Sequence, residues 1–572
     1  MIKRLLSILI VSALLLSALP LYAAAADAYE IKNGVLVRYT GTSGIVNVPN
    51  TVTAIGDSAF YMCYYISKVT LPDSVKTIGS NAFAECSNLT SVTIGKGLTV
   101  IGSQAFQDCH ALKDINIPDS VEVIGGGSFE NCYSLTSIKL SDGVKKIGAR
   151  AFYMCIGFAS MNIPKNVSAI GDSAFAGCVN LKDFTVSAEN ATFAAFDGVL
   201  YSKTGKTIIS YPQARDGAYT LRSGTAYIAS GAFEYAIGLT GLAGARDVEV
   251  VGDYAFSCCL SLRDIYLPKA LGIMGFAFYN CQSLKTVRIG GAVIGQYAFN
   301  KCAALKSVIV ADGSKAIDQF AFSECPVLRN VILPSSITYI GNNVFTDTPE
   351  AKVLCEKGSE VSKFFSSLGI MCAPPNAPSS WAVEILKNSD RFAISCLQLG
   401  YQGYQGNSTR YEFTLAVANF LEQYYNKGVD QLVAERKLKN GKFSDTEDLD
   451  ILAVNALGLV NGTGNGLFAP ENLLNREQAA TLMYRIMIDI LGPAEKPAPS
   501  EDEGEEEAPA PESIYKDAAK ISDWAIEAVN AMTEAGIMVG DGVNFNPKKG
   551  CTREMCIIMF SRLWDVVNAA KK

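Results

Sequence analysis

The chain has 572 residues, a formal net charge of −7 at pH 7, sixteen cysteines and a single histidine, His110. The acidic balance disfavours nucleic acid and anionic lipid as partners, because binding to either is driven by basic patches that release counterions. One histidine excludes most histidine-based catalysis and histidine-rich metal sites. Since no clustered Cys-x-x-Cys pairs are present either, we expect neither a metal nor a cofactor.

The N-terminus predicts a secretory signal peptide over residues 1–26. Lys3 and Arg4 precede an apolar run over residues 5–19, and YAAAA at 22–26 offers small residues for cleavage. The run is too short for a stable membrane span, and no later stretch reaches the roughly 18 apolar residues that a spanning helix needs. We therefore expect an exported protein without a membrane span.

After this segment the chain repeats one phrase, of which IGSNAFAEC (residues 78–86) is a clear copy. Its phenylalanine recurs every 21 to 23 residues, with one longer gap, at positions 60, 83, 106, 129, 152, 175, 233, 256, 278, 299, 322 and 345. Many copies at a period in the twenties are typical of a solenoid, in which each unit packs only against its neighbours.

One unit, LKDINIPDSVEVIGGGSFENC (residues 112–132), predicts the structure of all. Leu112, Ile115 and Ile117 are placed to line the inner face of a short strand, which Pro118 ends. The rest of the unit is expected to return two apolar side chains to the core and to close in a short helical or irregular turn. This is the geometry of a β-rich leucine-rich-repeat solenoid, an α/β repeat.

Cysteines recur at the last position of the repeated phrase. They are Cys63, Cys86, Cys109, Cys132, Cys155, Cys178, Cys259, Cys281, Cys302 and Cys325. Leucine-rich repeats commonly use Asn or Cys at one buried position. We favour a buried ladder of reduced thiols that act as small apolar groups. Disulfides between adjacent units are the alternative, since they tolerate Cα separations of about 4.4–6.8 Å.

Two segments depart from the period and read as hairpins, near residues 32–49 and near residues 196–212. In the second, two β-rich runs flank the sequence KTGK. Both segments are suited to capping or spacing the spine, because an open solenoid end needs cover. An insertion that grips a partner is the alternative.

The pattern IP-x-SV-x-x-IG-x-x-AF-x-x-C, with inserts such as FDGVLYS, resembles the BspA-type leucine-rich repeats of bacterial surface proteins over roughly residues 30–370. The resemblance implies a non-enzymatic, extracellular recognition surface that attaches to a host or neighbouring-cell protein. It does not identify that protein. We assign residues 27–372 to this solenoid.

A different unit follows the solenoid. We expect three helix–loop–helix units, at residues 376–430, 431–491 and 514–570. An acidic, proline-rich linker is expected before the third unit, at residues 492–513. Trp381 precedes Thr409 by the same 28 residues that separate Trp524 from Thr552. Thr552 and Asn475 are expected to cap the second helices of their units.

These units resemble S-layer homology domains, whose signature combines Phe-x-Asp, a tryptophan, a Gly-rich loop with Phe-x-Pro, and a Thr-Arg-Ala-Glu-like box. The resemblance implies a compact all-α domain of three units that binds secondary cell-wall polysaccharide, in known cases with pyruvylated sugars. The matching positions carry over as polysaccharide contacts: Arg410, Arg476, Arg553, Trp381 and Trp524. An arginine fork at a helix N-terminus suits a sugar carboxylate. The alternative is that the arginines only brace helix ends and the tryptophans only pack.

Two of the units depart from the signature. The second unit lacks the tryptophan and has Asn475 in place of the threonine, and the first replaces the Phe-x-Pro loop with GYQGYQG at 400–406.

We expect a non-enzymatic surface protein of a Gram-positive-type bacterium, anchored non-covalently by its C-terminal domain, with the solenoid displayed for protein binding or adhesion. A structural surface-layer component is the alternative, and a wall-polymer hydrolase is a third hypothesis.

Overall fold

The computed structural model describes residues 28–355, 358–369, 372–373, 404–425, 429–439, 441–446, 448–492 and 514–570. The predicted signal peptide, Trp381 and nearly all of the predicted linker lie outside the described residues. The predicted fold class is confirmed: a leucine-rich-repeat solenoid is followed by a helical region. Within the described part, every helix is too short or too polar to cross a membrane.

Most units of the solenoid contribute two short strands, and these stack in parallel into two ladders, the first divided into four hydrogen-bonded sheets and the second into two. The strands are numbered β1–β31 in chain order. Ladder one contains the first strand of each unit: β3 Ile45–Asn47, β5 Lys68–Thr70, β7 Ser91–Thr93, β9 Asp114–Ile115, β12 Ser160–Ile163, β14 Asp183–Val186, β18 Gly217–Thr220, β20 Leu239–Ala243, β22 Asp264–Leu267, β24 Thr286–Ile289, β26 Ser307–Val310, β28 Asn330–Ile332, β30 Lys352–Leu354 and β31 Cys372–Ala373.

Ladder two contains two-residue strands that lie, in most units, directly before the repeated glycine. They are β4 Ala54–Ile55, β6 Thr77–Ile78, β8 Val100–Ile101, β10 Val123–Ile124, β11 Lys146–Ile147, β13 Ala169–Ile170, β19 Tyr227–Ile228, β21 Val250–Val251, β23 Gly272–Ile273, β25 Val293–Ile294, β27 Ala316–Ile317 and β29 Tyr339–Ile340. The sequence predicts one strand per unit, whereas the structure has two in most units, so the second ladder was not predicted. Two residues are too few to show an alternating pattern.

Antiparallel strands begin each half of ladder two. The first half starts with the hairpin β1 Tyr29–Lys32 and β2 Val35–Tyr39, and β2 pairs in parallel with β4. The second half starts with β15 Phe193–Phe196, β16 Val199–Ser202 and β17 Thr207–Ser210, and β17 pairs in parallel with β19. Both inserts therefore cover the first edge of a parallel sheet, which would otherwise leave backbone groups unpaired.

The core is a column of stacked phenylalanines flanked by thiols. Ring centroids of successive units lie 4.7–5.6 Å apart from Phe60 to Phe175 and 4.7–5.8 Å apart from Phe233 to Phe345. Each ring is fully buried or nearly so up to Phe322. One phenylalanine per unit keeps the column continuous, even where the step shortens to 22 and 21 residues between Phe256, Phe278 and Phe299.

The repeated cysteines are free thiols with a specific partner. The Sγ of Cys132 donates to the carbonyl of Phe106 in the preceding unit at 3.2 Å, and eight other units repeat this bond. In the last unit the hydroxyl of Thr348 donates to the Phe322 carbonyl at 2.8 Å instead. Burial raises the pKa of Cys132 well above its ordinary value, so the thiol keeps the proton that it donates.

The two halves of the solenoid stack directly across the second insert, and a carboxyl is buried at the junction. The amide of Ser173 donates to the carbonyl of Ser230 at 3.1 Å. Glu234 is only 4% exposed and accepts hydrogen bonds from the hydroxyls of Ser173 (3.0 Å) and Tyr153 (3.4 Å). Burial raises the pKa of Glu234 to about 7, against the hydrogen bonds and Arg150, which lower it.

Substitution of Glu234 by glutamine should stabilise the solenoid at alkaline pH. Because the folded pKa of about 7 exceeds the ordinary 4.5, the stability that the carboxyl contributes is complete below pH 4.5 and is lost as the pH rises through 7. In thermal unfolding from pH 4.5 to pH 8.5, the free energy of unfolding of Glu234→Gln should rise relative to that of the wild type, by at most about 3 kcal/mol. The exposed Glu122→Gln is the control, and identical pH profiles for wild type and Glu234→Gln would contradict the prediction.

The helical region follows the short helix α1 Glu360–Ser367, whose Phe365 packs 5.4 Å from Phe345. Its described helices are α2 Arg410–Tyr425, α3 Val429–Glu435, α4 Leu449–Ala456, α5 Arg476–Leu491, α6 Ile526–Glu534 and α7 Arg553–Ala569. One apolar core joins them, and α2 meets α7 through Phe413 and Phe560, 5.1 Å apart. They therefore form one domain rather than separate hairpins.

This domain contacts ladder one of the second half through a buried charged cluster. Arg288 on β24 is 7% exposed, and its guanidinium lies 5.1 Å from the ring centre of Tyr411 in α2. The Tyr411 hydroxyl donates to Asp448 at 2.8 Å. Burial raises the pKa of Asp264 on the neighbouring strand β22 to about 6; Asp448 raises it further and Arg288 lowers it. A buried cation that interacts electrostatically with two carboxylates thus lies at the contact between the domain and the spine.

Replacement of Arg288 by methionine should loosen this contact. The change removes the cation that offsets Asp264 and Asp448 in a buried setting, and unpaired buried charge is costly. We expect a larger radius of gyration by small-angle X-ray scattering. Arg329→Met, at an exposed arginine that pairs with Glu350, is the matched control. Unchanged scattering of Arg288→Met would show that the cluster does not fix the arrangement.

Candidate functional site

Three backbone hydrogen bonds form a closed ring that relates the three helical units. The Ser408 amide donates to the Cys551 carbonyl (2.8 Å), and the Cys551 amide donates to the Leu474 carbonyl (2.8 Å). The Leu474 amide closes the ring by donating to the Ser408 carbonyl (2.9 Å). Each residue lies two positions before the first residue of a long helix. The starts of α2, α5 and α7 therefore surround one pseudo-threefold axis.

Each of these helices begins with a side-chain cap. Thr552 accepts from the amide of Met555, and Asn475 forms a reciprocal capping box with Gln478, which confirms both predicted caps. Thr409 and Glu412 exchange the same pair of bonds, each at 3.1 Å. The caps fix the next residue of every unit, an arginine, at the first helical position.

Arg410 and Arg476 have matching surroundings, because each reaches into the loop of the following unit. Arg410 donates from Nε to the carbonyl of Phe468 (2.9 Å) and from Nη2 to that of Asn461 (2.8 Å). Arg476 donates from Nε to the carbonyl of Phe545 (2.7 Å) and from Nη2 to Val539 (3.0 Å). These arginines shape the two described Gly-rich loops.

Arg553 forms an ion pair with a residue of the first unit. Its Nε and Nη2 donate to the two carboxylate oxygens of Glu412 at 3.0 and 2.8 Å, and both residues are at least nine-tenths buried. Of the unit-one loop, residues 404–406 are described, and the carbonyl of Gly406 accepts from the backbone amide of Arg553 at 2.9 Å. Arg553 thus ties the third unit to the first through a bidentate ion pair.

Each described loop is also held by an aspartate of the Phe-x-Asp or Tyr-x-Asp segment. Asp445 accepts from the amides of Phe468 and Ala469, both at 2.7 Å. Asp517 accepts from the amides of Phe545 and Asn546, both at 2.8 Å. The loops are therefore preorganised by paired carboxylate–amide bonds.

Beside the loop of unit three lies a groove of about 440 Å³, between residues 537–546 and α7. Arg476 lies at one side, and Lys549 and Arg562 also line it. Arg562 donates to the carbonyl of Ile537 at 3.3 Å. The lining also includes the thioethers and alkyl side chains of Met555, Ile558 and Met559. The groove thus combines cationic groups with an apolar surface.

The charge of the groove is mainly positive. Three cations face a single carboxylate, Asp541. Its oxygens accept from the amides of Asn544 (2.7 Å) and Val543 (2.9 Å) and from the Asn546 side chain (2.9 Å). These bonds lower the pKa of Asp541 to about 2, and the bond from Asn544 contributes most, so Asp541 stays ionised at neutral pH. Three cations against one anion favour an acidic ligand.

The sequence reasoning missed Arg562, although a signal was present. Arg485 follows Arg476 by the same nine residues that separate Arg562 from Arg553. It donates to Leu459 at 3.5 Å, as Arg562 does to Ile537. A second arginine recurring at one spacing in two units indicates a shared role at the loop.

The tryptophans are not brought into this groove by the described structure. Trp524 is 57% exposed at the start of unit three and is not part of the groove lining. Trp381 lies outside the described residues. Among the residues that the structure describes, no cluster of His, Cys, Asp or Glu has the arrangement of a metal site.

Stacked strand–turn units with buried thiols define a leucine-rich-repeat solenoid, which is followed by capped helical units around one axis. Comparison with protein families agrees. The BspA type leucine rich repeat region matches residues 39–135, 99–197 and 226–352, and the S-layer homology domain matches residues 448–480 and 514–554. The chain belongs to the BspA-type leucine-rich repeat family, and its S-layer homology domains imply anchoring to the cell wall at the cell surface.

Solved structures show similar solenoids. The pneumococcal vaccine antigen PcpA is 23% identical and aligns with a TM-score of 0.50 over 60% of this chain and 92% of PcpA, which supports the fold. A leucine rich cell surface protein from Faecalibacterium prausnitzii is 27% identical over 59% of this chain and 95% of that chain, with a TM-score of 0.44. An endoglucanase from Bacillus sp. (strain KSM-635) is 31% identical over 140 residues, which span 14% of that enzyme's length.

Proposed function

We propose that the protein is a non-enzymatic adhesin held on the cell wall by secondary wall polysaccharide, which binds in the groove of unit three. The observation that carries the proposal is the convergence of Arg476, Lys549 and Arg562 on one groove with an apolar lining. A guanidinium fork pairs with a sugar carboxylate, such as that of a pyruvylated sugar, through two parallel bonds. The methionine and isoleucine side chains suit the apolar face of the sugar ring.

Arg476 and Arg562 have separate roles in this proposal. Arg476 already donates two hydrogen bonds to loop carbonyls, so it shapes the groove and contributes its charge. Arg562 donates one hydrogen bond of 3.3 Å from its Nη1 and is only partly buried. It is therefore the arginine best placed to meet the acidic group directly.

The solenoid is displayed for protein binding in this proposal, with the wall domain against its second half. Recognition is assigned to side chains that vary between units, since the repeated ones are buried in the core. The contact through Arg288 covers part of ladder one in the second half, which leaves the first half as the larger open face.

The experiment that tests anchoring is co-sedimentation of the full chain with purified cell walls. One portion of the walls is treated with hydrofluoric acid to remove secondary polymers, and untreated walls are the comparison. We expect retention by untreated walls only, and release by added soluble polysaccharide. Equal retention by both wall preparations would contradict a polysaccharide anchor. Ordered sheets of the purified protein without walls would instead favour a structural surface-layer role.

A further inference from the structure

The start of α7 carries two cysteines whose thiols are in contact. Cys551 lies directly before the capping residue Thr552, and Cys556 is the fourth residue of the helix. Their Sγ atoms are 3.6 Å apart, and both side chains are fully buried. The residue before a helix cap and the fourth helical residue commonly pack against each other as an apolar pair that fixes the entry of the chain. In unit three, two thiols make this contact.

The other two long helices have different pairs at the same two positions. They are Leu474 and Ala479 at α5, and Ser408 and Phe413 at α2, and all four side chains are fully buried. The backbone is arranged alike in the three units, because Ser408, Leu474 and Cys551 form the ring of hydrogen bonds around the pseudo-threefold axis. Packing at this place therefore does not require sulfur, and the cysteine pair is particular to unit three.

The pair also differs from the thiols of the solenoid. A solenoid thiol such as that of Cys132 donates to the backbone carbonyl of Phe106, at 3.2 Å, and a disulfide would remove this bond. Cys551 and Cys556 instead share a hydrogen bond between their own sulfurs. Since a disulfide bond is about 2.05 Å long, joining them requires a further approach of two sulfurs that already touch.

The burial of Cys556 determines when the two sulfurs can react. Burial raises the pKa of this thiol well above its ordinary value and the neighbouring Cys551 raises it further, whereas a hydrogen bond with Ser408 lowers it. The attacking group in disulfide exchange is a thiolate, so attack by Cys556 is slow in the closed structure. Reaction therefore takes place before the helices pack, or when the first turn of α7 opens.

We propose that Cys551 and Cys556 form a disulfide bond in the exported protein. Disulfides persist outside the cytosol, because the systems that reduce them are cytosolic. The oxidant is a small disulfide compound, R–S–S–R. One cysteine thiolate attacks it and forms a mixed disulfide, and the second cysteine thiolate then attacks the protein sulfur of that intermediate. The two cysteines lose two protons and two electrons in total, and R–S–S–R is reduced to two molecules of R–SH.

The bond is a covalent staple at the start of α7. It joins the residue before the cap to the fourth helical residue and so holds the first turn closed around Thr552. Arg553 lies inside the closed loop, and its ion pair with Glu412 joins the third unit to the first. The staple therefore strengthens the point at which the ring of three units closes.

Peptide mapping without reduction tests the proposal. The full chain is incubated in a glutathione redox buffer until its thiol content is constant, alkylated with N-ethylmaleimide in denaturant and digested with trypsin. Cleavage after Lys549, Arg553 and Arg562 places the two cysteines on the separate peptides 550–553 and 554–562. We expect these peptides as one linked pair that separates on reduction, and peptide 114–139 with an alkylated Cys132. Alkylation of both Cys551 and Cys556 would overturn the proposal.

Hydrogen exchange tests the stapling role. In the oxidised protein the amides in the first turn of α7 should exchange more slowly than in the reduced protein, by at least about fivefold. The first turn of α5, with Leu474 and Ala479 at the matching positions, should not change. Equal rates at α7 in both forms would overturn this role.

The control variant is Cys551→Ser, which prevents the bond. Serine is already buried at the same position in unit one, as Ser408, so the variant is expected to fold, and its melting curve verifies this. Its exchange rates at α7 should no longer depend on the redox buffer. If they depend on it as in the wild type, the bond between Cys551 and Cys556 is not the cause of the protection.

Discussion

Substitution of Arg553 by methionine should destabilise the helical domain by about 3–5 kcal/mol, the range observed when one partner of a buried ion pair is removed. The change leaves the carboxylate of Glu412, which is 9% exposed, without the guanidinium that neutralises it. Chemical denaturation followed by helical circular dichroism measures the loss. We expect the solenoid's own unfolding transition to change little.

A matched pair of variants separates loss of the ion pair from loss of bulk. The double variant Arg553→Met with Glu412→Leu removes both charges and should recover most of the stability, because apolar replacement of a whole buried pair is often near neutral. A stable Arg553→Met protein that no longer binds walls would instead make Arg553 a polysaccharide contact, as its position in the sequence motif predicts.

Substitution of Arg562 by methionine should leave the domain folded and weaken wall binding at least about tenfold. A hydrogen bond to a charged group contributes roughly 1.5–3 kcal/mol, and 1.4 kcal/mol corresponds to a factor of ten. Arg562 is partly exposed and makes one long bond, so its removal costs the fold little. Binding isotherms on purified walls at fixed ionic strength give the affinity.

The control for Arg562→Met is Lys520→Met, which removes an exposed cation of the same domain outside the groove. Its affinity should stay within a factor of two of the wild type's, since a remote charge is screened at about 0.15 M salt. Equal weakening of both variants would show that net charge, and not this groove, holds the wall polymer.

The solenoid was predictable because its information is local and repeated. A step of 21 to 23 residues between phenylalanines specifies the stack, and the pattern of Leu112, Ile115 and Ile117 specifies a strand whose inner side chains are buried. The second ladder was not predictable in the same way, since two residues carry no periodicity. The bond from Cys132 to the Phe106 carbonyl likewise needs the three-dimensional stacking of units.

The candidate site was predictable only in part. The motif places Arg410, Arg476 and Arg553 alike at helix starts, and the caps follow from Thr552 and Asn475. Their different roles depend on partners that are remote in sequence. Glu412 lies 141 residues before Arg553, and the Tyr411 contact with Arg288 joins two domains. Such pairings follow from the packing of whole domains, which no local pattern encodes.

The most direct test of the proposed wall anchor is a crystal structure of the chain with a short acidic fragment of secondary wall polysaccharide. The proposal predicts that the fragment occupies the groove between residues 537–546 and α7, with its carboxylate within hydrogen-bond distance of Arg562. A fragment bound elsewhere on the molecule, with this groove empty, would contradict it.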